Sequence, residues 1–169
     1  MNIVAEAELK SVEQSVRDVI YRAALLLDDQ KFMEWLALCA PEFSYRITTY
    51  SPEIRKEMIW YEQDVPGLKA MIELLPKHNT DHGRLTRHTT VYTVELDPSY
   101  NEASATTSFA CYRTMLDGIN SHIDSGETQL FVIGRYYDRF RIGEDGPRFL
   151  ARNVFLDTRR LDKGSHYPI

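Results

Sequence analysis

Residues 130–161 constrain the fold of this chain more than any other stretch. Two apolar runs carrying arginines flank the turn Gly143-Glu144-Asp145-Gly146-Pro147, and a Gly/Asp/Pro cluster between two such runs signals a hairpin. In the first run, two-residue alternation puts Leu130, Val132, Tyr136, Phe140 and Ile142 on one face. Arg135, Arg139 and Arg141 fall on the other, the mark of a strand with one buried face. Asp138 interrupts the apolar face. An ionised carboxylate there is costly without a partner, so the pattern predicts a pairing, with Arg152 on the adjacent strand as the candidate. The second run, residues 148–158, is apolar on both faces: Phe149, Ala151 and Phe155 against Leu150, Val154 and Leu156. Strands covered on both sides read that way. The most apolar hairpin of the chain is therefore expected at the centre of a sheet.

The preceding residues read as helices followed by strands. Leu9, Val12, Val16, Val19, Ile20, Ala23 and Leu27 recur at helical spacing and predict a helix over residues 8–27. After Asp28-Asp29, Phe32, Trp35, Leu36 and Cys39 form the stripe of a second helix, ended by Pro41. Phe43, Tyr45 and Ile47 then alternate with polar residues as a strand. Residues 51–60 fit neither pattern. Pro66-Gly67 opens a short helix bearing Leu68, Met71, Ile72 and Leu75, which Pro76 is expected to close before a polar loop at 77–83. In residues 85–96, His88, Thr90, Tyr92, Val94 and Leu96 alternate up to the turn Asp97-Pro98-Ser99. Another strand spans 103–116, and a polar break over 117–127 leads to the hairpin. Helices first and hairpin-linked strands after predict one α+β domain over residues 1–169, a curved antiparallel (mixed) sheet folded over N-terminal helices. Phe43, Tyr45 and Ile47 should point inward with Tyr92 and Val94.

Composition narrows the function. A net charge of -5 argues against nucleic acid as a partner. The two cysteines, Cys39 and Cys111, sit in neither a Cys-x-x-Cys nor a Cys-x-His element. That argues against zinc, Rieske and thioredoxin-type sites built from this chain alone, and two reduced, mostly buried thiols in a cytoplasmic protein are expected. The N-terminal residues MNIVAEAELK lack the apolar core of a signal peptide, and no stretch is long enough to span a membrane.

Two groups of side chains are candidates for chemistry or recognition. His78, Asp81, His82 and His88 are the one cluster of metal-type residues, but Pro76, Asn79 and Gly83 work against the helix that would align them, so polar loop residues are the preferred reading. Arg135, Arg139, Arg141, Arg152, Asp157, Arg159 and Arg160 suit bidentate pairing across a subunit interface.

Three stretches together resemble the small (beta) subunits of Rieske-type, aromatic-ring-hydroxylating oxygenases. They are ALLLDDQKFMEWLALCAPEFSYRI at residues 24–47, LTRH at 85–88, and GRYYDRFR with ARNVFLDTRRL at 134–141 and 151–161. The resemblance implies an NTF2-like cone, a curved sheet wrapped over helices. It implies a structural subunit that forms trimers docked on a trimer of large alpha subunits, giving a hetero-hexamer. On that reading the Rieske cluster and the mononuclear iron belong to the alpha subunit, this chain carries no cofactor, and a reductase or ferredoxin meets it only indirectly. Residues 51–81 depart from the aromatic-substrate members, which leaves a small sulfonate or other non-aromatic acid open beside ordinary aromatic hydroxylation. The same fold also hosts dehydratases and isomerases, so a second reading is a stand-alone acid–base enzyme whose set would be Tyr45, His88, Tyr92 and Asp138 inside the cone.

Overall fold

A computed structural model describes residues 3–78, 83–116, 125–158 and 167–169. The chain opens with the long helix α1 (Ile3–Asp28), whose buried stripe includes Val16, Ile20, Ala23 and Leu27. Those positions share one helical face. A turn with Gln30 at φ 57° leads into the one-turn helix α2 (Phe32–Leu36), which buries Trp35 and Leu36. Here the structure corrects the sequence reading. Cys39 does not belong to the second helix but opens strand β1 (Cys39–Ser51), with Pro41 inside that strand. The pairing of β1 with its neighbour shifts between Cys39 and Ser44. Pro41 therefore sits where the ladder is interrupted, a position that tolerates a residue without an N–H.

Strand β2 (Lys56–Asp64) occupies the stretch that fitted neither pattern. Most of its side chains are exposed on both faces, so no alternation marks it in the sequence. Helix α3 (Val65–His78) starts where Asp64 accepts a hydrogen bond from the Gly67 N–H at 2.9 Å, a side-chain cap. It runs through Pro76 rather than stopping there, with the proline confined to its last turn. Strands β3 (Arg84–Leu96), β4 (Glu102–Thr114), β5 (Thr128–Gly143) and β6 (Gly146–Leu156) complete the sheet.

The sheet order is β2-β1-β6-β5-β4-β3. Every adjacent pair is antiparallel except β1 and β6, which are parallel. The β5–β6 hairpin is central, as its apolar character predicts. The sheet curves around α1, which packs on both β3 and β6, while α3 lies against β1 and β2.

Bulges decide which residues face the interior. On β5, Val132, Tyr136, Asp138 and Phe140 point inward, and Arg135, Arg139 and Arg141 point out. Leu130, expected on the inner face, is 51% exposed, because a register shift makes Phe131 the extra residue there. On β6, Leu150 is the extra residue, so Phe149 joins Arg152, Val154 and Leu156 on the inner face. The expected grouping of Phe149 with Ala151 and Phe155 therefore fails. On β3 the shift falls at Tyr92. Leu85, Arg87 and Val91 are buried, and Tyr92, expected inside, is 58% exposed. Phe43, Tyr45 and Ile47 are buried as expected, and Val94 packs partly buried against the core.

Candidate functional site in the cone interior

The interior holds an unusual share of polar groups among aromatic rings. Arg152 donates from Nε and Nη2 to the two carboxylate oxygens of Asp138, 2.8 Å each, with both residues 2% exposed. Its guanidinium lies 4.2 Å from the Tyr136 ring centre and 4.7 Å from that of Phe149. Such cation–ring contacts strengthen out of water. Burial works against the Arg152 cation and Asp138 overcomes it, so Arg152 stays charged. Burial pushes the Asp138 carboxyl up, and the guanidinium opposes that push.

A second buried arginine is Arg87. Its Nη1 donates to Asp28, at the end of α1, at 2.6 Å, and its backbone N–H reaches the same carboxylate. Its Nη2 donates to the Pro168 carbonyl at 2.6 Å. The Tyr45 hydroxyl accepts from the Ile169 N–H at 2.9 Å and donates to a main-chain oxygen of Ile169 at 3.1 Å. Residues 167–169 thus lie in the mouth of the cone. Burial raises the Tyr45 hydroxyl and pushes that of Tyr136 up to about 12. It also pushes Cys39 up to about 12 and Cys111 up to about 11.

The structure divides the proposed acid–base set. Tyr45 and Asp138 are inside, whereas His88 and Tyr92 are on the outer face, with the His88 ring 5.3 Å from Tyr112. A general base must exchange a proton near the working pH and reach the substrate. Neither a hydroxyl pushed far upward nor a carboxylate clamped by two hydrogen bonds fits that role. No group of three or more His, Cys, Asp or Glu side chains gathers among the described residues in a way that could hold a metal ion. Asp81 and His82 lie outside those residues, and the backbone of His78 ends α3. Among the described residues the donor set fits neither a Rieske cluster nor a mononuclear iron centre: Cys39 and Cys111 are buried, and His88 is exposed.

The proposed interface residues divide too. Arg152 is sequestered inside and is removed from that set. Arg135, Arg139, Arg141 and Asp157 are exposed, while Arg159 and Arg160 lie outside the described residues. Arg139 pairs with Glu102 at 2.8 Å, Arg141 with Glu42, and Arg46 with Glu62. The first two pairs and Arg46 line an open recess of about 770 Å³, together with Ser44, Ser104, Ala151 and Asn153. Sequence reading missed Arg87 altogether. Its signal was the set Leu85, Arg87 and Val91, obscured because the bulge at Tyr92 made the opposite set look apolar.

The profile of the family described as ring hydroxylating beta subunit matches residues 22–163. The chain is 50% identical over 163 residues to the methanesulfonate monooxygenase hydroxylase subunit beta of Methylosulfonomonas methylovora, covering 96% of this chain and 90% of that one. It is 36% identical over 157 residues to the 2-aminobenzenesulfonate 2,3-dioxygenase subunit beta of an Alcaligenes species, covering 92% and 97%. Among solved structures, naphthalene 1,2-dioxygenase with indole bound aligns at a TM-score of 0.75 and 18% identity, over 100% of this chain and 95% of that one. An NTF2-like protein from Novosphingobium aromaticivorans aligns at 0.65 and 14% identity, over 94% and 90%. The fold is therefore the NTF2-like cone.

Proposed function

The chain belongs to the ring hydroxylating beta subunit family, and on that premise we propose that it is the structural, non-catalytic beta subunit of a sulfonate oxygenase. The observation that carries the substrate is the 50% identity to a methanesulfonate monooxygenase beta subunit across nearly the whole chain. The second relative is also named for a sulfonate, though an aromatic one. A small alkanesulfonate is accordingly the preferred substrate of the complex.

The partner is an alpha subunit, and the iron and the Rieske cluster belong to it. The stand-alone dehydratase or isomerase reading loses support because His88 and Tyr92 lie outside the cone while its mouth holds residues 167–169. We assign a trimer of this chain docked on an alpha trimer, in the cytoplasm, where two free thiols suit the redox environment. No helix among the described residues is long and apolar enough to cross a membrane. Arg135, Arg139, Arg141 and Asp157 remain candidates for the subunit boundary, with Arg159 and Arg160 carried from the sequence.

The test is co-expression and co-purification with an alpha subunit of the same family of oxygenases, followed by oxygen uptake with methanesulfonate, 2-aminobenzenesulfonate and naphthalene in turn. Uptake with methanesulfonate is expected. Uptake with an aromatic substrate alone would overturn the substrate assignment, and turnover by this chain without a partner would overturn the structural role. Sedimentation of the pure chain tests the trimer: a concentration-independent monomer would remove it.

A further inference from the structure

The contacts made by Tyr167, Pro168 and Ile169 are those of a bound peptide. Their backbone supplies two acceptors and one donor, and each is met by a side chain from elsewhere in the cone. Arg87 Nη2 donates to the Pro168 carbonyl at 2.6 Å, and the Tyr45 hydroxyl takes the Ile169 N–H and meets a main-chain oxygen of the same residue. The Ile169 side chain is fully buried, and the Tyr167 ring stacks on Phe32 with centres 5.5 Å apart. Tyr167 borders an open groove of about 560 Å³ with Phe32, Ile72 and Pro76 on one side. On the other, the space left between it and Arg87 is about 10 Å³, lined also by Leu27, Gln30, Phe32 and Leu85. That is about the room one water needs.

The receiving groups are held by partners other than these three residues. Arg87 is fixed from the opposite side by Asp28, through its guanidinium and its own backbone N–H. Tyr45 is wedged edge-on against Trp35 and Tyr61, at 6.0 and 6.2 Å between ring centres. A site whose donors are positioned in advance binds without spending energy on ordering them. The buried Arg87 Nε lacks a partner in the described structure. Without Pro168, Nη2 would be left unsatisfied beside it.

We propose that the mouth of the cone is a peptide-binding site, and that Tyr167-Pro168-Ile169 is its ligand, supplied by the chain itself. The class of ligand is a short apolar peptide. It presents an aromatic ring, a carbonyl, and an N–H and main-chain oxygen flanking a branched aliphatic side chain. The site holds in cis what it could equally hold in trans. Its occupation denies small molecules the Arg87, Tyr45 and Arg152 end of the cone.

Two measurements on the chain alone test this, neither depending on oxygenase turnover. In the full chain, Tyr45→Phe keeps the ring and removes both contacts to Ile169. The Ile169 amide should then exchange with solvent roughly tenfold faster or more than in the wild type, while exchange in the central β5–β6 hairpin holds. Equal rates at Ile169 would overturn the proposal. A chain lacking everything from Tyr167 onward should melt more than about 4 °C lower, and N-acetyl-Tyr-Pro-Ile at millimolar concentration should recover most of that loss, where N-acetyl-Tyr-Pro-Asp should not. If the shortened chain folds only when the peptide is present, the proposal stands. An unchanged melting temperature overturns it, and so does a shortened chain that the peptide fails to rescue.

Discussion

Asp138 and Arg152 are directly opposite one another on β5 and β6, and their bidentate pair closes across the strand boundary inside the cone. Register, charge and burial therefore depend on each other at this point. A one-residue slip of β6 would carry Arg152 to the outer face and leave the Asp138 carboxylate in an apolar interior.

Removing one partner of this pair strands the other. Asp138→Ala is expected to destabilise the chain by about 3–5 kcal/mol in urea unfolding, since an unpaired buried charge remains. Replacing both residues, as Asp138→Leu with Arg152→Met, should recover most of that loss, because apolar side chains of similar volume suit the surrounding rings. If the single variant costs less than the double, the pair is not what makes the site costly to disturb.

At Gly134, β5 leaves no room for a side chain against β6. A Cβ built there would sit 2.1 Å from the Phe155 carbonyl oxygen and 3.0 Å from its carbon. Both are backbone atoms of the neighbouring strand, so no side-chain rotation relieves the clash. Gly134→Ala should lower stability by about 1–3 kcal/mol through strand separation. Gly143→Ala on the same strand meets only the Gly146 carbonyl at 3.9 Å and should be close to neutral. Comparable losses in the two variants would refute the steric account.

Both thiols should be silent. Burial pushes Cys39 up to about 12 and Cys111 up to about 11, so neither holds appreciable thiolate at neutral pH. Ellman's reagent should therefore find no reactive thiol in the native chain and two in denaturant, the sequence holding two cysteines. A fast-reacting thiol under native conditions would contradict the burial of that residue.

The extent to which the sequence announced this structure follows from what each element buries. Strand β5 was legible because from Val132 to Phe140 its inner face is mostly apolar and its outer face carries arginines, so a two-residue period survives there, while the bulges at Phe131 and Leu150 hid the ends of the hairpin. The Asp138–Arg152 pair was legible because a carboxylate on an apolar face demands a cation. Strand β2 was not, since it buries so little on either face. The interior positions of β3 before Tyr92 were misassigned because a single extra residue there puts Leu85, Arg87 and Val91 out of phase with Val94 and Leu96. The role of Tyr167, Pro168 and Ile169 was beyond any periodic reading, as three residues carry no period. Only Tyr45 survived from the proposed catalytic set as an interior hydroxyl, and there it holds a peptide backbone.

The turn between β3 and β4 gives the chain an acid-sensitive point. Asp97 accepts hydrogen bonds from the Ser99 hydroxyl, from the Glu102 N–H at 2.9 Å and from the Ser99 N–H at 3.3 Å. The Ser99 hydroxyl first, and then the Glu102 amide, hold its carboxyl below the ordinary value of 3.8. Because the folded value is the lower one, the ionised turn contributes stability that is fully present above about pH 3.8 and is lost as the pH falls through the folded value. Asp97→Asn removes this dependence. The stability difference between wild type and variant should be largest at neutral pH and shrink towards zero in strong acid. Ser99→Ala removes the largest cause, so the Asp97 carboxyl, followed by carbon-13 NMR, should titrate closer to 3.8 than in the wild type. A wild-type Asp97 that titrates at or above that value would show that these hydrogen bonds do not favour the ionised turn.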